Sequence, residues 1–350
     1  MLSLFAAFGV VAIASSFAIV YAIRRWALQH MLDIPNERSS HTIPTPRGGG
    51  LGIVLATVLL FLIAELSQPI QDGDSVGAMI PFVAGAALIA ALGWADDRWT
   101  LSARLRLVLQ LGISLIAIVV VQPDTRIDLP LLGVISFAPL IAYAINLVWV
   151  IGLTNIYNFM DGIDGLAGFQ ALAAGLGWCG LLLARGADDL ALYALLLAGS
   201  SLGFLFLNRP RALIFMGDVG STFLGFSLAL LPILAYARSA DPRLLGAGVL
   251  FVAPFVLDGT FTIIRRALRH ENVLMAHRSH IYQRLTVREG YSHLNITGLY
   301  AFYAVASIGC GWLYATTDSG ALMSLAILIP IAIFAALVVW TMRFERLNSP

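Results

Sequence analysis

The sequence predicts an all-α polytopic membrane protein of about eleven transmembrane helices, on three observations: its composition, the spacing of its apolar runs and the sidedness of its arginines. Hydrophobic residues make up 59% of the 350, charged residues only 12%, and the mean hydropathy is +0.87. A soluble domain needs far more polar surface than this, so the bilayer is the solvent. A spanning helix takes about 20 mostly apolar residues. Eleven runs qualify: 1–23, 49–66, 76–94, 105–121, 138–153, 165–184, 189–207, 221–237, 244–264, 294–315 and 320–341. The first lacks the basic start and small-residue cleavage site of a signal peptide, which makes it a retained helix. Cys179 and Cys310 lie in separate apolar runs without disulfide or metal spacing and are expected to be small core hydrophobes.

All 21 basic residues are arginine, and the net charge is only +1, so their distribution is what informs. With the N-terminus periplasmic and the C-terminus cytoplasmic, the inner connections and the C-terminal tail hold seventeen of them. Only Arg126, Arg185, Arg238 and Arg243 fall outside. That orientation requires an odd number of helices. No repeat and no linker divides the chain, so residues 1–350 are expected to form a single transmembrane domain. The longest outer connection, 122–137, alternates apolar residues around Pro130 and Gly133 and suits a small hairpin. The inner connections, 24–48, 95–104, 154–164, 208–220 and 265–293, hold every unusual polar cluster, which points to one site built on one face.

Asp96 and Asp97 close the third run in GWADDRWTLSARLRLVLQ. Adjacent like charges at a membrane border need compensation, either from Arg98 or Arg104 or from a cation or phosphate-bearing ligand. In NIYNFMDGIDGLAG, Asn155, Asn158, Asp161 and Asp164 recur at steps of three, which can share a helix face, although Gly162 and Gly165 interrupt the stripe. A turn at Asp161-Gly162 and an N-cap at Asp164 would explain one acid but not two acids with two amides. In FMGDVGSTFLGF, Asp218 stands between Gly217 and Gly220 with Ser221 at the mouth of a helix, a setting in which glycines and free amides can approach a diphosphate. Hard oxygen ligands suit Mg²⁺, usually shared with substrate phosphates, and Asp218 is the first candidate for a direct ligand.

A basic loop follows the ninth run. Arg265, Arg266 and Arg269 suit a membrane anchor, whereas HRSHIYQRL places His277, Arg278 and His280 where planar donors could meet phosphate oxygens. A zinc site would need further ligands at fixed spacing, which the neighbourhood lacks. In NERSSHTIPTPRGGGLGI, His41 and Arg47 join a proline-fixed turn to three glycines. Asp258, inside an apolar run, is costly there, and two readings stand equally: an ion pair with Arg265 or Arg266, or a role in the site.

Together these five motifs, in order over residues 38–290, resemble the polyprenyl-phosphate N-acetylhexosamine-1-phosphate transferases, the family that includes MraY and WecA. The resemblance implies transfer of a HexNAc-1-phosphate, or a deoxy relative, from a UDP-sugar to undecaprenyl phosphate with release of UMP, at the cytoplasmic face of the bacterial inner membrane. It implies Mg²⁺, with Mn²⁺ as a substitute, held by Asp218. It sets Asp96 and Asp97 toward the lipid phosphate and Asn158, Asp161 and Asp164 along the nucleotide-sugar pocket, with His41, His277 and Arg278 near phosphates or sugar. Asp96, Asp97, Asp164, His277 and His280 are the catalytic candidates; His41, Arg47, Asn155, Asn158, Asp161 and Arg278 the substrate-binding ones.

Two departures bear on the substrate. Where the family often has a third acid, this chain has Thr100, and HRSHIYQRL replaces the consecutive histidines of the muramyl-pentapeptide branch. The chain looks more like the WbpL-type branch that starts O-antigen or related glycans. A bilayer, the two substrates and, as an open choice, a second copy of the chain are the partners expected; nucleic acid is not. A transporter or flippase of lipid-linked intermediates is the competing class, but it would favour acids near the midplane and repeated halves. A non-catalytic scaffold for polyprenyl lipid would bind lipid without releasing UMP.

Overall fold

The computed structural model describes residues 2–35, 43–67, 73–121, 126–272, 278–287 and 290–347. These form thirteen helices: α1 (Leu2–His30), α2 (Gly50–Ser67), α3 (Gly73–Trp99), α4 (Ala103–Val121), α5 (Pro139–Phe159), α6 (Leu166–Leu183), α7 (Asp188–Asn208), α8 (Asp218–Ser239), α9 (Arg243–Phe251), α10 (Ala253–Leu268), α11 (Ile281–Val287), α12 (His293–Thr316) and α13 (Gly320–Leu347). Two antiparallel strand pairs complete the described fold, β1 (Leu32–Asp33) with β2 (Thr45–Pro46) and β3 (Arg126–Leu129) with β4 (Gly133–Ser136). The second pair is the hairpin expected within 122–137.

Ten helices are long and apolar enough to cross a bilayer by themselves. The ninth predicted run, 244–264, is not one straight helix: α9 and α10 meet at Val252 with a bend of 76°. Pro254 explains the break, because it cannot donate to the carbonyl one turn back and its ring crowds that carbonyl. In hydrocarbon an orphaned carbonyl is costly, and at this break the Phe251 carbonyl accepts the side-chain amide of Gln170 at 2.8 Å. Together the two helices are long and apolar enough for one span. Arg243 at the head of α9 binds Asp318 in the α12–α13 turn, while Asp258 in α10 binds backbone amides that open α11. With this pair counted as one span, the described residues hold eleven candidate spans.

α8 is the axis. Every residue from Val219 to Tyr236 is buried, as an element apolar on all faces should be. The surrounding α1, α4, α5, α12 and α13 turn residues such as Val10, Val108, Ile116, Leu140, Phe302 and Leu328 outward, the surface a lipid solvent requires. The predicted inner connections are shorter than read from sequence. α1 carries Arg24 and Arg25 to His30, α3 carries Asp96 and Asp97 to Trp99, and α10 carries Arg265 and Arg266 to Leu268. The polar ends of these helices, and not long loops, therefore present much of the chemistry.

Candidate active site

The strand-like segment 46–50 is stitched to 215–216. Phe215 N–H donates to the Pro46 carbonyl (2.8 Å), Gly49 N–H to Phe215 (2.9 Å) and Gly50 N–H to Met216 (2.8 Å). These bonds, made by two of the three glycines, set the start of α8 beside the end of α3. Gly217 precedes α8 with φ +77°, and a Cβ there would stand 2.6 Å from Asp97 Oδ2, so only glycine fits. The Asp97 carboxylate, 6% exposed, accepts the Val219 N–H at 3.1 Å and the Asp218 N–H, capping α8 from a neighbouring helix. Arg47 reaches the Asp97 backbone carbonyl at 2.6 Å.

Asp218 heads α8 and keeps 27% of its side chain exposed. Its Oδ2 lies 3.2 Å from Arg106, which also forms an ion pair with Asp96. The Asp96 and Asp218 carboxyls are within hydrogen-bonding reach of each other, and Asn158 reaches Asp218. The pairing expected for Asp96 with Arg98 or Arg104 is thus corrected to Arg106, one turn inside α4. Sequence spacing hid this, because Arg104 and Arg106 point to different sides of one helix.

The stripe of four at steps of three holds only for Asn155 and Asn158, since α5 ends at Phe159. Asn155 is tied to Gln110 at 2.7 Å and to the Ile151 carbonyl. Asp161 lies in the following turn, half-buried; desolvation by the protein around it, and then the charges of Asp218, Asp97 and Asp164, raise its carboxyl well above the usual range. Asp164 does not cap α6: that place belongs to Gly165, φ +77°. Instead its carboxylate accepts the Arg211 and Ala212 amides at 3.1 Å each and stands 3.3 Å from His293. Burial pushes this carboxyl up, but the His293 and amide hydrogen bonds outweigh it and hold it below the usual range.

A cavity of about 610 Å³ opens beside this turn, with Arg24, Pro44, Asp164, Arg211, Phe215 and His293 among its walls. It shares the 161–164 and 215–218 segments with the carboxylate cluster. Asn208 bolts those segments together, accepting from Gly165 N–H (2.9 Å) and donating to the Ile214 carbonyl (2.8 Å). Arg106, Asn208, Gln110 and His293 were missed by motif reading. Asn208 left a signal, a buried amide in the last turn of an apolar helix, whereas Arg106 and His293 are joined to their acids only by the fold.

The basic loop departs most from expectation. Asp258 does not pair with Arg265 or Arg266; it binds His280 at 3.3 Å, the Ile281 and Tyr282 amides and the Tyr300 hydroxyl. Arg266 turns instead to Glu271 and the Asn272 carbonyl. His280 is 1% exposed and directed at Asp258, the placement of an anchor and not of an open acid–base group. Arg278 is half-buried, which lowers its pKa. His41 and His277 lie outside the described residues.

Comparison with known proteins adds a family to this geometry. Residues 79–236 match the profile described as glycosyl transferase family 4. The chain is 32% identical over 305 residues to a probable undecaprenyl-phosphate N-acetylglucosaminyl 1-phosphate transferase of Bacillus subtilis (strain 168), covering 85% of this chain and 82% of that protein. It is 32% identical over 327 residues to a decaprenyl-phosphate N-acetylglucosaminephosphotransferase of Mycobacterium tuberculosis, covering 84% and 79%. A phospho-N-acetylmuramoyl-pentapeptide-transferase of Chlamydia trachomatis is 34% identical over 228 residues, covering 59% of this chain and 65% of its own.

Proposed function

The chain belongs to glycosyl transferase family 4, and from that membership we propose that it moves an N-acetylhexosamine 1-phosphate from a UDP-sugar to undecaprenyl phosphate and releases UMP. That it is a multi-pass membrane transferase acting on polyprenyl phosphate and a sugar phosphate follows from its relatives and its helices. The finer assignment rests chiefly on one observation. The 610 Å³ cavity is walled by Asp164 and Phe215, each three residues along the chain from Asp161 and Asp218 of the carboxylate cluster, a layout suited to a nucleotide in the cavity and a diphosphate at the cluster.

The lipid phosphate oxygen attacks the sugar-bearing phosphorus, a new P–O bond forms, and the P–O bond to UMP breaks with the electron pair leaving on UMP. A phosphate monoester has a second pKa of about 6, so the nucleophile is largely deprotonated at neutral pH and positioning dominates. Arg106, already bridging Asp96 and Asp218, is poised to exchange a carboxylate for a phosphate oxygen. Asp97 holds the head of α8, and so Asp218, at a fixed depth.

Among the described residues no three His, Cys, Asp or Glu side chains form a ready cage for a metal ion. That fits Mg²⁺, which usually takes one or two carboxylates and completes its shell with water and substrate phosphates. The oxygens of Asp218, with Asp96 and Asn158 beside it, are hard donors of the right kind, and Asp218 would hold the ion. When bound, Mg²⁺ would offset negative charge on the diphosphate.

The arginine bias supports placing this end in the cytoplasm and the enzyme in the inner membrane. The loop sequence supports a glycan-initiating role, such as O-antigen, over a muramyl-pentapeptide donor. Purified protein incubated with undecaprenyl phosphate and a panel of UDP-HexNAc and deoxy-HexNAc donors should release UMP with one of them in Mg²⁺. Lipid binding without UMP release from any donor would overturn the proposal.

A further inference from the structure

We propose that Asp258 and Tyr282 are positioning residues that latch the basic loop to the Asp161 turn, so that the two move as one piece during transfer. The inference rests on the reading of Asp161 as part of the site.

Asp258 and Tyr282 are both fully buried. A carboxylate inside a membrane domain is tolerated only when its oxygens are fully engaged, and Asp258 collects five donors. Its Oδ1 faces Ile281 N–H (2.9 Å), His280 Nδ1 (3.3 Å) and Thr262 Oγ1 (3.3 Å); Oδ2 faces Tyr300 Oη (2.6 Å) and Tyr282 N–H (3.2 Å). Three of the five come from consecutive residues 280–282, which begin two positions after Arg278. The acid therefore fixes the backbone of that loop onto α10 more than it holds any helix partner.

Tyr282 carries the constraint onward. Its hydroxyl donates to the Phe159 carbonyl at 2.9 Å, at the end of α5 and two residues before Asp161. Helix ends leave such carbonyls without an intrahelical donor. The approach is so close that a Cβ on Gly162 would stand 2.2 Å from the hydroxyl oxygen and 3.2 Å from Cζ. Tyr282 thus reads the turn from both sides, donating to the Phe159 carbonyl and accepting from the Gly162 N–H, with no room left for a side chain on Gly162. Packing alone would be served by phenylalanine; the hydroxyl is what connects the loop to the turn.

The test is a double-mutant cycle in the purified full-length protein, with thermal midpoint, kcat and KM for both substrates measured on each variant. Tyr282→Phe is expected to lower kcat roughly 10- to 100-fold, the scale of a small misplacement, with both KM values and the midpoint nearly unchanged. Gly162→Ala should be slower still, and adding Tyr282→Phe to it should bring activity back toward that of Tyr282→Phe alone, because the oxygen is gone and only the contacts at 3.2 Å to Cζ and Gln283 Nε2 remain. Tyr282→Phe at wild-type kcat, or additive losses in the double variant, would overturn the latch. Asp161→Asn separates the two readings. If it is inactive while Tyr282→Phe is unaffected, the site stands and the latch falls; if Asp161→Asn is fully active, the turn has no role to be positioned for and both fall.

Discussion

The two ends of the bundle carry similar residues in opposite states of balance. At the end away from the candidate site, Arg238 pairs with Asp189, Arg185 with Asp241, and Arg243 with both Asp241 and Asp318, so three carboxylates meet three guanidiniums. The β3–β4 hairpin closes over the same end through Tyr314 and the Asp128 carbonyl. At the other end Asp96, Asp97, Asp161 and Asp218 stand close enough to act on one another's charge, while Arg106 pairs with Asp96 and Asp218 and Arg47 lies near Asp97. A folded protein concentrates surplus charge only where something outside the chain will offset it. The far end is therefore a clasp and the near end fits the binding site proposed above, although composition does not distinguish them.

The sharpest way to break that contrast is to remove the surplus charge. Asp218→Ala is expected to reduce transfer by roughly 10²- to 10³-fold or more, without recovery at high Mg²⁺ and without loss of the helical bundle by circular dichroism. Chelation of the wild type should abolish UMP release and Mg²⁺ should restore it; full turnover in EDTA would refute the metal assignment. Arg106→Ala should come next, with a loss of about 10- to 100-fold that Arg106→Lys only partly recovers, since a point charge cannot span Asp96 and Asp218 as a fork does.

The far end should respond in stability and not in chemistry. Asp241→Asn is expected to cost about 1 kcal/mol, seen as a lower thermal midpoint, with kcat unchanged; a matching loss of turnover would erase the distinction between the ends. The smallest effect is in pH. Asp241 is pushed up by burial, but hydrogen bonds from Arg185 and Arg243 outweigh that and hold it below the usual range, as His293 and the amides do for Asp164. A depressed carboxylate pKa stabilises the fold above the unfolded value, about 3.9, and that contribution is lost as pH falls through the folded value. Asp241→Asn and Asp164→Asn should each flatten the acid limb of a midpoint-against-pH curve below about pH 4.

The helices were legible in sequence because a bilayer imposes length and apolarity on every crossing, and the eleven runs reappear as ten long apolar helices and one bent pair. Sequence reading missed the break at Val252, although Pro254 was in view, because hydropathy is blind to a missing amide donor. In the site, Asp218 at a helix head and the glycines around it were legible as local chemistry. Which arginine meets Asp96, and which groups meet Asp258, were not, since Arg106 and His280 are brought there by packing across 10 and 22 positions of chain. The long-range partner of a buried acid is a property of the fold, and the nearest arginine in sequence was a poor guide to it.

Because α8 touches no lipid along Val219–Tyr236, its depth is set by protein neighbours alone. A thicker or thinner bilayer would tilt the outer helices, which have apolar flanks to match, while the acid at the head of α8 kept its level. The reacting phosphates would then meet at one height above the acyl chains whatever the thickness of the host membrane.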